Sequence, residues 1–118
     1  MAIIDLSQRS FDETIEGNDC VIVDFWAPWC GPCRAFSPIF EKVSGNHPDI
    51  IFAKVNIDEE PQLAEDFNIR SIPSLMIFKR EFAIFSQSGM QTESGLEQLI
   101  KDAKLIDIAE LRKQNEQE

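Results

Sequence analysis

The sequence predicts an α/β domain, and three observations carry the prediction. Residues 21–33, Val-Ile-Val-Asp-Phe-Trp-Ala-Pro-Trp-Cys-Gly-Pro-Cys, read as an apolar strand running straight into two cysteines, Cys30 and Cys33. Immediately after them, Phe36, Ile39, Phe40 and Val43 fall at i, i+3, i+4 and i+7, which is one face of a helix. Along the rest of the 118 residues, short apolar runs alternate with segments of helical period, and the length suits a single domain with an ordinary core.

In chain order, Ile3, Ile4 and Leu6 mark a short first strand. Ser10 reads as an N-cap, with Glu13 three residues on to close a capping box, for a short helix that Gly17 ends. Cys20 opens the next strand. It reads there as a small apolar residue, since a buried free thiol behaves as a hydrophobe; a regulatory thiol is the alternative. Asp24 is the anomaly, because its strand is apolar enough to be buried on both faces. A buried carboxylate costs free energy and is retained where it is paired or used. Desolvation would raise its pKa and make Asp24 a proton acceptor near neutrality; a hydrogen-bonded structural aspartate is the competing reading.

The two cysteines sit at the start of a helix, Cys30 at its mouth and Cys33 one turn further in. The first amide N–H groups of a helix lack internal partners, and the helix dipole favours negative charge there. A thiolate at Cys30 is therefore stabilised, and the thiolate is the nucleophile, so Cys30 is the residue to attack a disulfide. Cys33, at i+3, is within reach to resolve the mixed disulfide. Gly31 allows the tight turn and Pro32 loses nothing in a first helical turn. Half of a zinc site is one alternative, but structural zinc takes four ligands and the chain offers only Cys20 and His47 besides. A static disulfide is the other.

Pro38 falls inside the helix and should kink it. A strand from Ile50 to Ile57 follows, with Lys54 its one basic residue. Asp58 can cap the next helix, with Pro61 in its first turn and Leu63, Ala64 and Phe67 buried. Ile72-Pro73 opens an apolar strand, Leu75 to Lys79, where proline is acceptable as a first residue. Arg80-Glu81 joins it to Phe82–Ser86, although these residues suit a two-residue type I′ turn poorly. Thr92 starts a closing helix with Leu96, Leu99, Ile100 and Ala103 on one face. The domain is expected to span residues 1–104. Residues 105–118 are an extension in which Leu105, Ile108 and Ala109 make an amphipathic turn or two before a polar tail. That extension either packs on the domain or docks to a partner.

Trp-Cys-Gly-Pro-Cys together with Asp24, Lys54, Ile72-Pro73 and Gly89 resembles the thioredoxin family over nearly the whole chain. The resemblance implies a twisted, mixed sheet of about five strands with helices on both faces. It implies that Asp24 lies behind the resolving Cys33 and helps deprotonate it, and that Lys54 pairs with Asp24; a lysine simply exposed on a strand face remains the other reading. It implies a cis bond at Pro73, with Ile72 contacting an extended substrate by strand addition. Gly89 matches the glycine beside the substrate groove, and Trp29, Ile57, Ile72, Pro73 and Met90 are candidates for an apolar rim around Cys30. Asn68 stands where the family commonly has glycine, and asparagine is the next-best residue for a left-handed cap. The implied activity is reduction of protein disulfides. The resemblance further implies no bound cofactor, with the Cys30–Cys33 disulfide as the redox-active group and NADPH acting only through a flavin-dependent thioredoxin reductase. An oxidant or isomerase is one alternative, and a thioredoxin-like binding module or chaperone whose cysteines are secondary is another.

Composition narrows the partners. A formal charge of −10 opposes binding to nucleic acid, whose phosphates it repels. The sequence has no run of 18 apolar residues to span a membrane and no visible signal peptide. Three cysteines without an export signal suggest a reducing compartment, hence a cytoplasmic protein, which is also expected to be a monomer.

Overall fold

The computed structural model describes residues 3–116. In order the elements are β1 (Ile4–Asp5), α1 (Gln8–Gly17), β2 (Cys20–Trp26), α2 (Gly31–Ser44), β3 (Ile51–Asn56), α3 (Pro61–Asp66), β4 (Ser74–Lys79), β5 (Phe82–Ser88), α4 (Glu93–Lys104) and α5 (Ile108–Glu116). The strands form one five-stranded sheet in the order β1-β3-β2-β4-β5. β1, β3 and β2 run parallel, while β4 is antiparallel to β2 and β5 to β4. This is the mixed sheet that the resemblance implies.

Period-two alternation in β2 decides the layering. Val21, Val23 and Phe25 point to one face, where they pack with Phe11 and Ile15 of α1 and Leu63 of α3. Ile22 points to the other, against Phe36, Phe40 and Val43 of α2 and Leu96, Ile100 and Ala103 of α4. Asp24 shares the parity of Ile22, so it lies on the α2 side of the central strand. Val23 and Phe25 beside it are fully buried. Each such side chain contributes about 1.5–3 kcal/mol, enough for the apolar run to hold a carboxylate inside.

Several local expectations are corrected. The N-cap of α1 is Ser7 rather than Ser10, and Ser10 takes the third helical position instead of Glu13. The two serines satisfy one another's amides, Ser10 N–H on Ser7 Oγ at 3.3 Å and Ser7 N–H on Ser10 Oγ at 3.0 Å. At α3 the cap is Glu60, without a side-chain cap bond, because Asp58 is engaged elsewhere. In the same segment Leu63 is buried, whereas Ala64 and Phe67 are partly so. Asn68 does adopt a left-handed backbone, φ 54°.

The β4–β5 connection is a two-residue turn, made by Arg80-Glu81 although these residue types suit it poorly. Lys79 pairs with Phe82, and both turn residues have positive φ, 47° and 78°. The register of the flanking strands imposes this geometry. Asp19 holds it from outside, accepting the Arg80 N–H at 2.8 Å through its carbonyl and the Arg80 Nε at 2.9 Å through its carboxylate.

The C-terminal extension also differs from expectation. Leu105 is exposed and lies in a break after α4; a second helix, α5, then begins at Ile108, which is buried, and runs to Glu116 instead of a polar tail. Lys79 fastens the break, its Nζ donating to the carbonyls of Ala103, Lys104 and Ile106 at 3.0, 3.1 and 2.9 Å. The last two residues of the expected tail, and the first two of the expected domain, lie outside the described residues.

Candidate active site

The site forms where β2 ends and α2 begins. Cys30 is the N-cap of α2, with extended backbone, and its Sγ accepts the Cys33 N–H at 3.2 Å. Gly31 and Pro32 occupy the first two helical positions, where the amide that proline lacks has no partner to lose. α2 continues through Pro38 to Ser44. The two cysteines are joined as a disulfide, with Cα atoms 5.2 Å apart. Both are nearly buried, packed with Ala27 and against Trp26, Ile57 and Ile72.

The loop before β4 closes over them. The Ile72–Pro73 peptide is cis, and the Ile72 carbonyl oxygen lies 3.8 Å from Cys30 Sγ. The Gly89 N–H donates to the Pro73 carbonyl at 2.8 Å, which brings the end of β5 alongside. Gly89 has φ 99°, a conformation that side chains disfavour. Trp29 is 66 % exposed and Met90 46 % exposed, large apolar groups left open to solvent. Of the expected rim, Ile57 and Ile72 touch the cysteine cluster; Trp29 lies next to it in the chain, and Met90 follows Gly89.

Behind α2, Asp24 is fully buried, and neither carboxylate oxygen has a hydrogen-bond partner among the described residues. Burial pushes its pKa up to about 7, against a smaller downward pull from the charge of Lys54. Lys54 stands in register with Asp24 on the neighbouring strand. The expected pairing is nevertheless not a direct ion pair. The Lys54 ammonium donates to Ser37 Oγ at 3.0 Å and lies over the Trp26 ring, 4.8 Å from its centroid. Cation–π attraction and the serine hydroxyl hold it, and it acts on Asp24 through space. Sequence reasoning missed Ser37; its position four residues beyond Cys33, on the same helical face, is the signal that was there to find it.

Asp58 is a further residue that sequence reasoning misassigned. Instead of capping α3, its carboxylate accepts the Trp29 Nε1–H, at 3.0 Å to one oxygen and 3.3 Å to the other. That bond steadies an exposed indole next to Cys30. Nothing local in the sequence separates this role from a cap. Arg34 N–H groups are likewise used locally, one donating to the Pro28 carbonyl at 2.8 Å. Cys20 lies outside the site. It is half-buried at the far end of β2, and burial pushes its thiol pKa up to about 11. Among the described residues no group of three or more His, Cys, Asp or Glu side chains could hold a metal ion.

Comparison with known proteins agrees with this geometry. The thioredoxin family model matches residues 2–102. Thioredoxin of Alicyclobacillus acidocaldarius is 39 % identical over 102 residues, covering 86 % of this chain and 97 % of the relative. Thioredoxin of Porphyra purpurea is 40 % identical over 99 residues, covering 82 % and 92 %. Among solved structures, Plasmodium falciparum thioredoxin superimposes with a TM-score of 0.80 at 37 % identity, over 85 % of this chain and 98 % of that one. A thioredoxin variant from Halobacterium salinarum gives 0.81 at 29 % identity, over 91 % and 98 %. The chain therefore belongs to the thioredoxin family: it is a thiol–disulfide oxidoreductase that works through the Cys30–Cys33 couple on disulfide-containing proteins, with a thioredoxin reductase as its general partner.

Proposed function

We propose that the protein is a general reductant of protein disulfides, with Cys30 as nucleophile, Cys33 as resolving thiol and Asp24 as the base that serves Cys33. One observation carries the reading. Cys30 caps α2 and its sulfur takes the Cys33 amide, while an unpartnered carboxylate that titrates near neutrality lies on the α2 side of the sheet.

The chemistry follows from these positions. In the dithiol form the Cys30 thiolate is stabilised by the Cys33 N–H and the unpaired amides of the first helical turn. It attacks one sulfur of a substrate disulfide. A bond forms between Cys30 and that sulfur, the substrate S–S bond breaks, and the second substrate sulfur leaves as a thiolate. Asp24 then accepts the Cys33 proton. The Cys33 thiolate attacks Cys30 Sγ, the mixed disulfide breaks, and the substrate sulfur that Cys30 held departs as a thiolate. Two electrons have passed to the substrate, and Cys30–Cys33 is left oxidised.

Lys54 tunes Asp24 by its charge and is itself held by Ser37 and Trp26. Ile72 offers backbone groups beside Cys30 for an extended substrate segment, and Trp29, Ile57, Pro73, Gly89 and Met90 border the same surface. Gly31 and Pro32 keep the first turn of α2 open to an approaching sulfur. A flavin- and NADPH-dependent reductase restores the dithiol. The protein acts as a cytoplasmic monomer, with residues 1–104 as the catalytic domain and 105–118 as an appended segment. The family match to residue 102 and the break after α4 support that division.

Trapping tests the assignment. Cys33→Ser, mixed with a disulfide-bonded protein, should accumulate a covalent adduct through Cys30, stable on non-reducing gels. Cys30→Ser should give none. Adducts through Cys33 or Cys20 instead would contradict the order of events.

A further inference from the structure

The geometry points to a subsite for an acidic side chain of the substrate, built beside the Ile72–Pro73 loop around Arg70. The inference rests on the reductase reading above and adds which disulfides the protein prefers. A cavity of about 270 Å³ opens between the residues that bracket the loop and the end of the edge strand β5. Asn68, Arg70, Ser71, Ser74, Ser86 and Ser88 supply its polar wall. Ser71 and Ser74 stand immediately either side of Ile72–Pro73, and Ser88 precedes Gly89, whose N–H holds the Pro73 carbonyl. The cavity is thus continuous with the backbone on which a substrate strand would lie.

Its chemistry is one-sided. Arg70 is its one charged residue, and no carboxylate lines it, in a chain with 21 acidic and 11 basic residues. Arg70 Nε donates to Asn68 Oδ1 at 3.1 Å, so the guanidinium is anchored, and its terminal nitrogens carry no hydrogen bond to a described residue. The left-handed backbone of Asn68, φ 54°, sets that anchor in place. An anchored guanidinium flanked by hydroxyls is a donor array for a carboxylate, whose oxygens accept two parallel N–H bonds. Arg70 lies two residues before Ile72, where the chain enters the bend at residues 71–73. A substrate strand laid beside Ile72 with its cysteine at Cys30 therefore carries a side chain near that cysteine, about two positions away on one side, past Arg70. Arg70 is exposed, which sets the size of the preference at about fivefold and makes it fade at high salt.

The test uses synthetic peptides, each with one internal disulfide and either Glu or Gln two residues from the attacked cysteine, on each side in turn. Reduction by the dithiol protein is followed as kcat/KM. On one side the Glu peptide should be reduced about fivefold faster than its Gln counterpart. Arg70→Gln should bring the ratio to about one, and Arg70→Glu should invert it. Equal rates for Glu and Gln peptides on both sides, or a ratio that survives Arg70→Gln, overturn the subsite and leave the reductase intact. Failure to reduce any of the peptides overturns both.

Discussion

Replacing Asp24 by asparagine should stabilise the protein, and by an amount that depends on pH. The buried carboxylate has its pKa raised from 3.8 to about 7. At 1.36 kcal/mol per unit, ionising it inside the fold costs about 4 kcal/mol relative to the unfolded chain. The sign follows from proton counts. Between 3.8 and about 7 the folded protein holds a proton that the unfolded chain has released, so stability falls as pH rises through that window and levels off above it. Asparagine never ionises and does not share the fall. Its own unpartnered amide costs about 1–3 kcal/mol at every pH. The amide cost is the same at both pH values and cancels, so the variant should gain about 4 kcal/mol on the parent protein between about pH 4 and about pH 8. Urea unfolding of the oxidised protein, followed by the fluorescence of Trp26 and Trp29, reads this as a change of about 2–4 M in the midpoint difference between the two proteins. The same difference at both pH values would refute the reasoning. The variant should also slow the attack of Cys33 on the Cys30 mixed disulfide, since the proton acceptor is gone.

Lys54→Met removes the positive charge near Asp24 while keeping apolar contact with Trp26; the Asp24 pKa, followed by carboxyl NMR, should move further above about 7, and a fall would reverse the assigned influence. Glu81→Gly relieves a side chain at φ 78° and should stabilise the hairpin by about 1 kcal/mol in urea melts, whereas a loss would mean that Glu81 makes a compensating contact. Lys79→Met strips three carbonyls of their donor and should cost about 1–2 kcal/mol, with faster amide exchange confined to the α4–α5 break and α5. Unchanged exchange there would show that Ile108 alone anchors α5.

The individual strands and the cysteine site were legible because their signals are local, whereas the mixed five-stranded sheet was implied only by the family resemblance. An unbroken apolar run, a helical period from Phe36 to Val43 and a Cys-x-x-Cys at their junction leave little choice of arrangement. Asp24 stood out because a charge in such a run has to be explained. What escaped was decided by contacts distant in sequence. Ser7 and Ser10 are both good caps, and only the exit direction of β1 selects between them. Asp58 offered a cap or a partner for Trp29, and the choice depends on where β2 and β3 end relative to one another. Lys54 faced Asp24 in register, yet Ser37 and Trp26 claim its ammonium. Arg80-Glu81 is a poor turn by residue type, but strand pairing outweighs about 1–2 kcal/mol of backbone preference per residue. The helix from Ile108 was legible only as a turn or two around Ile108 and Ala109; it runs on to Glu116, and Lys79 fixes its start from across the chain.

The central claim is that Cys30 and Cys33 form a reducing couple. Its most direct test is the equilibrium of that couple in dithiothreitol or glutathione buffers of graded potential, followed by the fluorescence of Trp26 and Trp29. A midpoint near about −270 mV, the value that holds for thioredoxin itself, is the expected result. A midpoint of about −120 to −180 mV, where oxidants and isomerases lie, would contradict the reductase.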